Sequence, residues 1–191
     1  MTFEKPITRP SEPVRHKISV AEFLALDEAG FFEGRRVELI DGRIYEMAPL
    51  YFPHGRIHAD LITELNLALR AIGGFDVATP VSTELSKHDL PEADIVVARQ
   101  GGGDRFATPE VVQLLVEVSA SSLNHDLGRK LRLYASFDVP EYWVADVNAR
   151  RIIRFHSPEG ETYRERAEFA FGEAVPSATI AGLTVDTSRL A

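Results

Sequence analysis

The most hydrophobic run of this chain, residues 111–118, constrains the fold more than any other feature. It reads Val-Val-Gln-Leu-Leu-Val-Glu-Val. Side chains of a strand alternate between its two faces, and this run places apolar residues on both of them. A strand of that kind is typical of the middle of a sheet that other elements cover on both sides. The run therefore predicts a layered α/β fold with Val111–Val118 as a central strand.

The remaining elements follow from periodicity and from turn residues. Apolar residues recur every three or four positions in two long segments, which indicates amphipathic helices, and Ser19 with Glu22 forms a capping box that starts a shorter helix. The Asp41-Gly42 pair predicts a hairpin between two short strands. The predicted helices cover residues 18–29, 54–72 and 123–137, and the predicted strands cover residues 37–40, 43–47, 75–78, 81–85, 94–98, 111–118, 141–146, 151–156, 162–166 and 178–185. This order predicts an α/β fold with a central mixed β-sheet flanked by helices, preceded by an N-terminal helix and a β-hairpin.

With 191 residues, the chain is long enough for one domain with a proper core. We expect residues 1–17 to form a flexible N-terminal arm and residues 18–191 to form the single domain. No apolar run reaches the roughly 18 residues of a membrane span, and the first residues lack the apolar segment of a secretory signal. The chain has no cysteine, which excludes disulfides, thiolate zinc sites and a cysteine nucleophile. Together these features favour a cytoplasmic protein.

Three charged residues stand where this pattern favours apolar side chains. Glu117 lies near the end of the central run, and Asp94 opens the apolar strand at residues 94–98. At about 100° per residue, Lys130 falls inside the apolar arc of the third helix. Ionised groups avoid apolar surroundings, because desolvation costs several kcal/mol unless the groups are paired. Glu117 and Lys130 therefore form either a buried ion pair or part of a reaction centre, and Asp94 favours the reaction centre.

Simpler interpretations remain open for each of these residues. Asp94 could cap a turn, and the Lys130 side chain could lie along an apolar surface with its ammonium in water. Asp126, one turn before Lys130, could pair with it or orient it. If the two carboxylates and the lysine converge, they suit metal-assisted hydrolysis of a phosphodiester. Carboxylate oxygens suit Mg²⁺, which polarises the phosphoryl group and acidifies a water, and a lysine stabilises developing charge or helps to position and deprotonate that water.

Five short motifs occur in an order that resembles the Uma2 family of the PD-(D/E)XK nuclease superfamily. The motifs are Val37–Gly42, Glu92–Ile95, Val116–Ser119, Asp126–Tyr134 and Val139–Val144. The resemblance spans residues 37–155, which is most of the chain. It implies a restriction-endonuclease-like fold and a metal-dependent endonuclease activity on DNA.

The resemblance also implies roles for particular residues. Asp94 and Glu117 would bind the metal, Mg²⁺ or Mn²⁺, together with a backbone carbonyl near Val118. Lys130 would serve the attacking water or the phosphate. Glu38 matches the glutamate of the family's hairpin motif and would be an additional acidic catalytic residue. Its alternative is a solvent-facing strand residue paired with a lysine or an arginine.

The chain departs from the superfamily pattern at two positions. Ala93 stands where a proline usually precedes the metal-binding aspartate. We expect the surrounding backbone to hold this segment in place without the proline. Ser119 stands where a local E-x-K motif has its lysine. In the Uma2-like arrangement the following helix supplies this lysine, and Lys130 matches that position.

Other residues give weaker signals. His54 and His58 lie one helical turn apart, but without a third nitrogen or thiolate ligand at suitable spacing they do not predict zinc. We expect His54 to help start its helix, with contact to the site as the alternative. Tyr142 and Trp143 are expected in the core rather than at a base-stacking surface. The sequence contains neither a phosphate-cradling Gly-rich motif nor a nucleophile elbow.

The charge balance leaves three functions open. A formal net charge of −8 argues against general attraction to nucleic acid, since proteins that bind polyanions are usually basic at least locally. A local basic patch could come from Arg129, Arg132, Arg150, Arg151 and Arg154. The leading hypothesis is a Mg²⁺- or Mn²⁺-dependent endonuclease acting on DNA, for which a homodimer would provide one site per strand. The alternatives are a non-cleaving DNA-binding or regulatory protein on the same fold, and a metal-dependent hydrolase of a small phosphorylated substrate, which a closed, narrow pocket would favour.

Overall fold

A computed structural model describes residues 14–102 and 105–191. Residues 14–17 have no regular secondary structure and are exposed. The rest of the predicted N-terminal arm lies outside the described residues, so the division into an arm and a single domain over residues 18–191 stays a prediction. In the described part of the chain, no helix is both long and apolar enough to cross a membrane.

The elements follow one another in an order close to the predicted one. The helices are α1 (Val20–Glu28), α2 (Phe52–Ile72), α3 (Leu123–His125) and α4 (Leu131–Ser136), with a π-helical turn at Asp126–Lys130 and a 3₁₀ turn at Ser188–Leu190. The strands are β1 (Val37–Ile40), β2 (Arg43–Glu46), β3 (Phe75–Ala78), β4 (Val81–Ser82), β5 (Glu92–Ala93), β6 (Ile95–Arg99), β7 (Val112–Ser119), β8 (Glu141–Asp146), β9 (Arg151–Glu159), β10 (Thr162–Ala170), β11 (Ala174–Pro176) and β12 (Thr184–Asp186). The capping box of α1 is present, since Ser19 and Glu22 bond to each other's backbone amides.

Six strands form the main sheet in the spatial order β10-β9-β8-β7-β6-β3. Within it, β7 and β8 run parallel and the other neighbouring pairs run antiparallel, so the predicted mixed sheet is confirmed. β7 lies between β6 and β8 and is buried along its length except at Gln113, as expected of a central strand. The hairpin β1-β2 forms a separate pair, and Asp41 and Gly42 both have positive φ in its turn, as a type I′ turn requires.

Hydrophobic clusters cover both faces of the sheet. Leu114 of β7 belongs to a cluster with Leu61 of α2 on one face. Leu115 belongs to a second cluster with Tyr134 of α4 on the other face. Because side chains alternate along a strand, Glu117 shares the face of Leu115. The carboxylate therefore points toward the layer formed by the π turn and α4.

The helix predicted over residues 123–137 is irregular. It consists of α3, a five-residue π turn and α4, and Leu131 N bonds to Asp126 O across the wide turn. Turns of this kind are rare and frequently lie at functional sites. Both ends of the turn, Asp126 and Lys130, are buried. The assumption of a regular 100° per residue is therefore wrong within this turn, although the Lys130 side chain still faces the core.

The strand predicted over residues 178–185 is present only at its end. The segment is extended at Thr184–Asp186, where it pairs with Ala174–Pro176. The preceding residues turn around the carboxylate of Glu141, which accepts hydrogen bonds from the amides of Ala178 and Thr179. Glu141 is fully buried, and a buried carboxylate is costly without such donors.

Other element boundaries differ by a few residues. The strand predicted over residues 81–85 pairs at Val81–Ser82, because the chain turns between Ser86 and Asp89 soon afterwards. The strands β9 and β10 run further than predicted, since they pair with each other along their whole length. Trp143 and Tyr142 are fully buried, which confirms their assignment to the core.

Candidate active site

Asp94 and Glu117 lie side by side on neighbouring strands. Asp94 sits between β5 and β6, and the antiparallel register of β6 and β7 pairs Ile95 with Val116. The next position in this register brings Asp94 opposite Glu117. The amide of Val118 donates a hydrogen bond of 2.8 Å to Oδ2 of Asp94, and both carboxylates are buried. The sheet thus brings together the two predicted metal ligands.

Lys130 reaches this pair from the π turn. Its Nζ lies 3.0 Å from Oε1 of Glu117 and 3.2 Å from Oε2 of Glu38. It also donates to the backbone carbonyl of Glu92 at 2.7 Å. The side chain exposes 2% of its surface, so the alternative in which its ammonium reaches water is wrong. The hydroxyl of Tyr134 donates a further hydrogen bond of 2.9 Å to Oε1 of Glu117.

Glu38 joins the same network from strand β1. Its Oε1 lies 2.9 Å from Nε2 of His125, and its Oε2 accepts a hydrogen bond of 3.3 Å from the amide of Glu92. Glu38 is buried, so the alternative of a solvent-facing strand residue is wrong. Its carboxylate links the hairpin, strand β5 and the π turn.

These side chains line one cavity of about 290 Å³. Its wall includes the four predicted site residues and two histidines: Glu38, Asp94, Glu117, Lys130, His54 and His125. The segment between β2 and α2, residues 47–51, and the turn at residues 120–122 complete most of the lining. The predicted site residues therefore converge, while their catalytic roles stay predictions.

The carboxylates of the cavity differ in acidity. Burial raises the pKa of Glu117 well above its usual range. The Lys130 ammonium opposes this effect, and the neighbouring Asp94 and Asp126 carboxylates add to it. Burial acts in the same direction on Asp94, but hydrogen bonds from His54 and from the amide of Val118 hold its pKa below the usual value. Asp94 is therefore ionised near neutral pH, whereas Glu117 retains its proton more readily.

Lys130 and Glu38 are charged at neutral pH. Burial alone lowers the pKa of Lys130, but the carboxylates of Glu117 and Glu38 raise it above its usual value. Burial raises the pKa of Glu38, yet the Lys130 ammonium and the His125 ring bring it below its usual value. A lysine with a raised pKa does not accept a proton at neutral pH. Lys130 is thus suited to stabilising negative charge rather than to deprotonating a water.

The donor set fits a divalent cation that takes few protein ligands. Oδ1 of Asp94 and Oε2 of Glu117 accept no hydrogen bond from the described residues. Mg²⁺ typically binds one or two carboxylates and keeps several waters, which two free oxygens on a cavity wall can satisfy. Within residues 14–102 and 105–191, no three His, Cys, Asp or Glu side chains are grouped to hold a metal. These residues therefore do not form a closed, four-ligand site of the structural zinc type.

His54 and His58 hold the segment around Asp94. Nε2 of His54 lies 3.2 Å from Oδ2 of Asp94, and its Nδ1 is buried with no hydrogen-bond partner among the described residues. Nε2 of His58 lies 3.0 Å from the backbone carbonyl of Asp94. His54 thus contacts the site, which was the less favoured of its two expected roles. The two rings reach different atoms of one aspartate rather than a shared metal position.

His125 is the cavity residue that sequence reasoning missed. In a regular helix, five steps of about 100° would turn His125 roughly 140° away from Lys130, so periodicity gives no reason to group them. Asp126 also differs from expectation, because its Oδ2 accepts a hydrogen bond of 2.7 Å from Ser119 and it forms no ion pair with Lys130 among the described contacts. The alternative in which Asp126 pairs directly with Lys130 is wrong.

The predicted basic patch is divided between different parts of the fold. The guanidinium of Arg129 lies 4.5 Å from the ring centre of Tyr45, which lines the cavity. Arg151, by contrast, is paired with Asp146 and Glu168 across the strands of the sheet. Arg129 thus contacts a residue of the cavity wall, whereas Arg151 is paired elsewhere in the sheet.

Comparisons with known proteins agree with this architecture. The profile of the Uma2 family, described as "Putative restriction endonuclease", matches residues 20–188. A crystal structure of a putative nuclease belonging to DUF820, from Anabaena variabilis ATCC 29413, is similar in fold with a TM-score of 0.70. The alignment covers 91% of this chain and 97% of that chain at 14% sequence identity. No curated protein gives a significant match.

Proposed function

This chain belongs to the Uma2 family, and on that premise we propose that it is a metal-dependent endonuclease that hydrolyses phosphodiester bonds of DNA. One observation carries the proposal. A free oxygen of Asp94 and a free oxygen of Glu117 belong to the same cavity wall as the buried ammonium of Lys130. Metal-assisted hydrolysis of a phosphodiester uses such a combination of hard oxygen ligands and fixed positive charge.

Asp94 and Glu117 would hold Mg²⁺ or Mn²⁺ through these two oxygens. When bound, the cation would supply Lewis-acid polarisation of the phosphoryl group and a more acidic water. The hydrogen bonds from His54 and Val118 occupy the other oxygen of Asp94, which fixes the direction of the free one. The bonds from Lys130 and Tyr134 do the same for Glu117.

Lys130 would contribute its charge from a fixed position. Its three acceptors hold the ammonium beside Glu117 and Glu38, so it offsets carboxylate charge that would otherwise repel an anionic phosphate. The carboxylates around it raise its pKa above the usual value, so the ammonium enters the reaction protonated. In this proposal Lys130 does not remove a proton from the attacking water.

The proposal is tested by incubating supercoiled plasmid DNA with the full chain and Mg²⁺ or Mn²⁺. We expect conversion to nicked or linear DNA that requires the cation and is abolished by Asp94→Ala, while circular dichroism shows that the variant remains folded. A matched control is Glu161→Gln, which removes an exposed carboxylate in the turn between β9 and β10. Cleavage that persists in Asp94→Ala and in a Glu117→Ala variant would contradict the proposal.

The size of the cavity favours a second candidate, a metal-dependent hydrolase of a small phosphorylated substrate. A volume of about 290 Å³ lies just below the roughly 300–1,000 Å³ typical of ligand pockets, which suits a small ligand. This candidate predicts turnover of small phosphate esters with no nicking of plasmid. Comparing the two substrates with the same protein preparation separates the candidates.

Two further outcomes concern DNA itself. DNA affinity that falls steeply with salt, without cleavage under any metal condition, would support a binding or regulatory protein on the same fold. The proposed endonuclease would act in the cytoplasm as a homodimer, because two sites allow both strands of a duplex to be cut. Sedimentation velocity with and without duplex DNA tests the dimer.

A further inference from the structure

His125 occupies a place on the cavity wall that the proposed metal chemistry leaves unused. Its Nε2 lies 2.9 Å from Oε1 of Glu38, while its Nδ1 makes no hydrogen bond to the described residues. The side chain keeps 30% of its surface exposed and lines the cavity together with Asp94 and Glu117. One ring nitrogen is therefore anchored, and the other is available to a substrate.

Glu38 gives this histidine a fixed orientation. The carboxylate exposes 2% of its surface, and its second oxygen is held by Lys130 at 3.2 Å. A buried, anchored carboxylate that accepts from one imidazole nitrogen sets the orientation of the ring. With Nε2–H directed at Glu38, proton exchange with a substrate takes place at Nδ1.

The groups that face His125 come from three elements. Glu38 approaches from β1, and the ring of Tyr45 from β2 has its centre 5.9 Å from that of His125. From the π turn, Arg129 lies over the same Tyr45 ring, and Lys130 shares the Glu38 carboxylate. Asp126 follows directly in the chain, with its own carboxylate bonded to Ser119.

Hydrolysis of a DNA phosphodiester is faster when a positioned group donates a proton to the leaving oxygen. The leaving oxygen departs as an alkoxide, a strong base, and a positioned acid contributes about 10²–10⁴-fold to the rate of such a step. Lys130 has its ammonium held by three acceptors. The Nε2 of His54 is turned toward Asp94. His125 combines an anchored ring with a free nitrogen and access to solvent.

We propose that His125 is the general acid of this reaction, held in place by Glu38. The oxygen of the attacking water forms a bond to phosphorus, and the bond from phosphorus to the leaving oxygen breaks. Nδ1–H of the imidazolium gives its proton to that leaving oxygen, which departs as an alcohol. The water releases a proton to solvent, and the ring regains one from solvent through its exposed side. This role rests on the proposed nuclease function.

The test compares two substrates that differ in their need for an acid. Supercoiled plasmid has an alkoxide leaving group, whereas bis(p-nitrophenyl) phosphate releases p-nitrophenolate, which departs without protonation. We expect His125→Gln to slow plasmid nicking by about 10²–10⁴-fold and to change hydrolysis of the aryl ester by less than about threefold. Added imidazole is expected to restore part of the plasmid activity of His125→Ala.

The remaining outcomes contradict either the role of His125 alone or the proposed nuclease function as well. An equal loss on both substrates, or no loss on plasmid, would overturn the role of His125 as the acid and leave the proposed nuclease standing. Asp94→Ala should lose activity on both substrates, whether or not His125 is the acid. This result separates the role of Asp94 in metal binding from the role of His125. A wild-type protein that cleaves neither substrate would overturn the proposed function and this role together. Thermal unfolding of His125→Gln and His125→Ala establishes that both variants fold.

Discussion

Nζ of Lys130 lies 3.0 Å from Oε1 of Glu117, and the two side chains expose 2% and 3% of their surfaces. One residue comes from the π turn and the other from the central strand, so the contact joins the helical layer to the sheet. Burying both charges is costly in itself. The second oxygen of Glu117, Oε2, accepts no hydrogen bond from the described residues. The pair thus connects the packing of the fold with the proposed metal site.

Lys130→Met should destabilise the protein by about 3–5 kcal/mol at neutral pH, because it leaves buried carboxylates without their cation. Urea unfolding measures this change in the free energy of unfolding. Lys87→Met is the matched control, since Lys87 is exposed and its loss should have little effect. Combining Lys130→Met with Glu117→Gln should recover part of the loss. A single variant as stable as the wild-type protein would show that the ion pair contributes nothing to the fold.

Glu38→Gln should destabilise the protein in a pH-dependent way. The folded protein holds the pKa of Glu38 below the usual 4.5, so the stabilisation from its ionised form is fully present above the unfolded value. It is lost as the pH falls through the lower folded value. We expect a difference of about 1.5–3 kcal/mol at pH 7, the range for hydrogen bonds to charged groups, which shrinks toward zero in strong acid. A difference that grows on acidification would reverse the sign of this coupling.

Asp94→Asn should remove the stabilisation that a divalent cation gives to the wild-type protein. Binding to the folded state alone raises stability by about 2.7 kcal/mol when the free cation is at 100 times its Kd. The unfolding temperature of the wild-type protein should therefore be higher in Mn²⁺ than in EDTA. The unfolding temperature of the variant should be the same in both. Glu161→Gln should behave like the wild-type protein. An equal shift in Asp94→Asn would place the cation elsewhere.

His54→Gln should weaken binding of Mn²⁺ by about 10–100-fold, as is common when the partner that orients a metal ligand is lost. The reason is the contact of 3.2 Å between Nε2 of His54 and Oδ2 of Asp94. Isothermal titration calorimetry measures the change in Kd. His156→Gln provides the control, because His156 lies on β9 and is absent from the lining of the cavity. Unchanged affinity in His54→Gln would mean that Val118 alone orients Asp94.

Much of the fold follows from local patterns that tertiary contacts reinforce. The run at residues 111–118 is apolar on both faces and lies in the middle of the sheet. The capping box at Ser19 and the Asp41-Gly42 turn form as their local chemistry requires. Asp94 and Glu117 could be singled out because a carboxylate in an apolar strand is rare unless it is paired or functional.

The rest depended on contacts between distant parts of the chain. No local signal shows that Glu141 draws the amides of Ala178 and Thr179 into a turn, which replaces the first part of the strand predicted over residues 178–185. The π turn breaks the regular helical period, so His125 could not be grouped with Lys130 from spacing. Glu38 is buried because the hairpin packs against the π turn. A single strand position in the sequence carries no information about that contact.

The most direct test of the central claim is a crystal structure of the protein soaked in Mn²⁺, with the anomalous signal of manganese recorded. We expect one peak in the cavity within about 2.0–2.3 Å of Oδ1 of Asp94 and Oε2 of Glu117, as for a hard dication with oxygen ligands. Lys130 should remain bonded to the other oxygen of Glu117. Manganese bound elsewhere, or an empty cavity at a concentration that supports DNA cleavage, would contradict the assignment of these two carboxylates as the metal site.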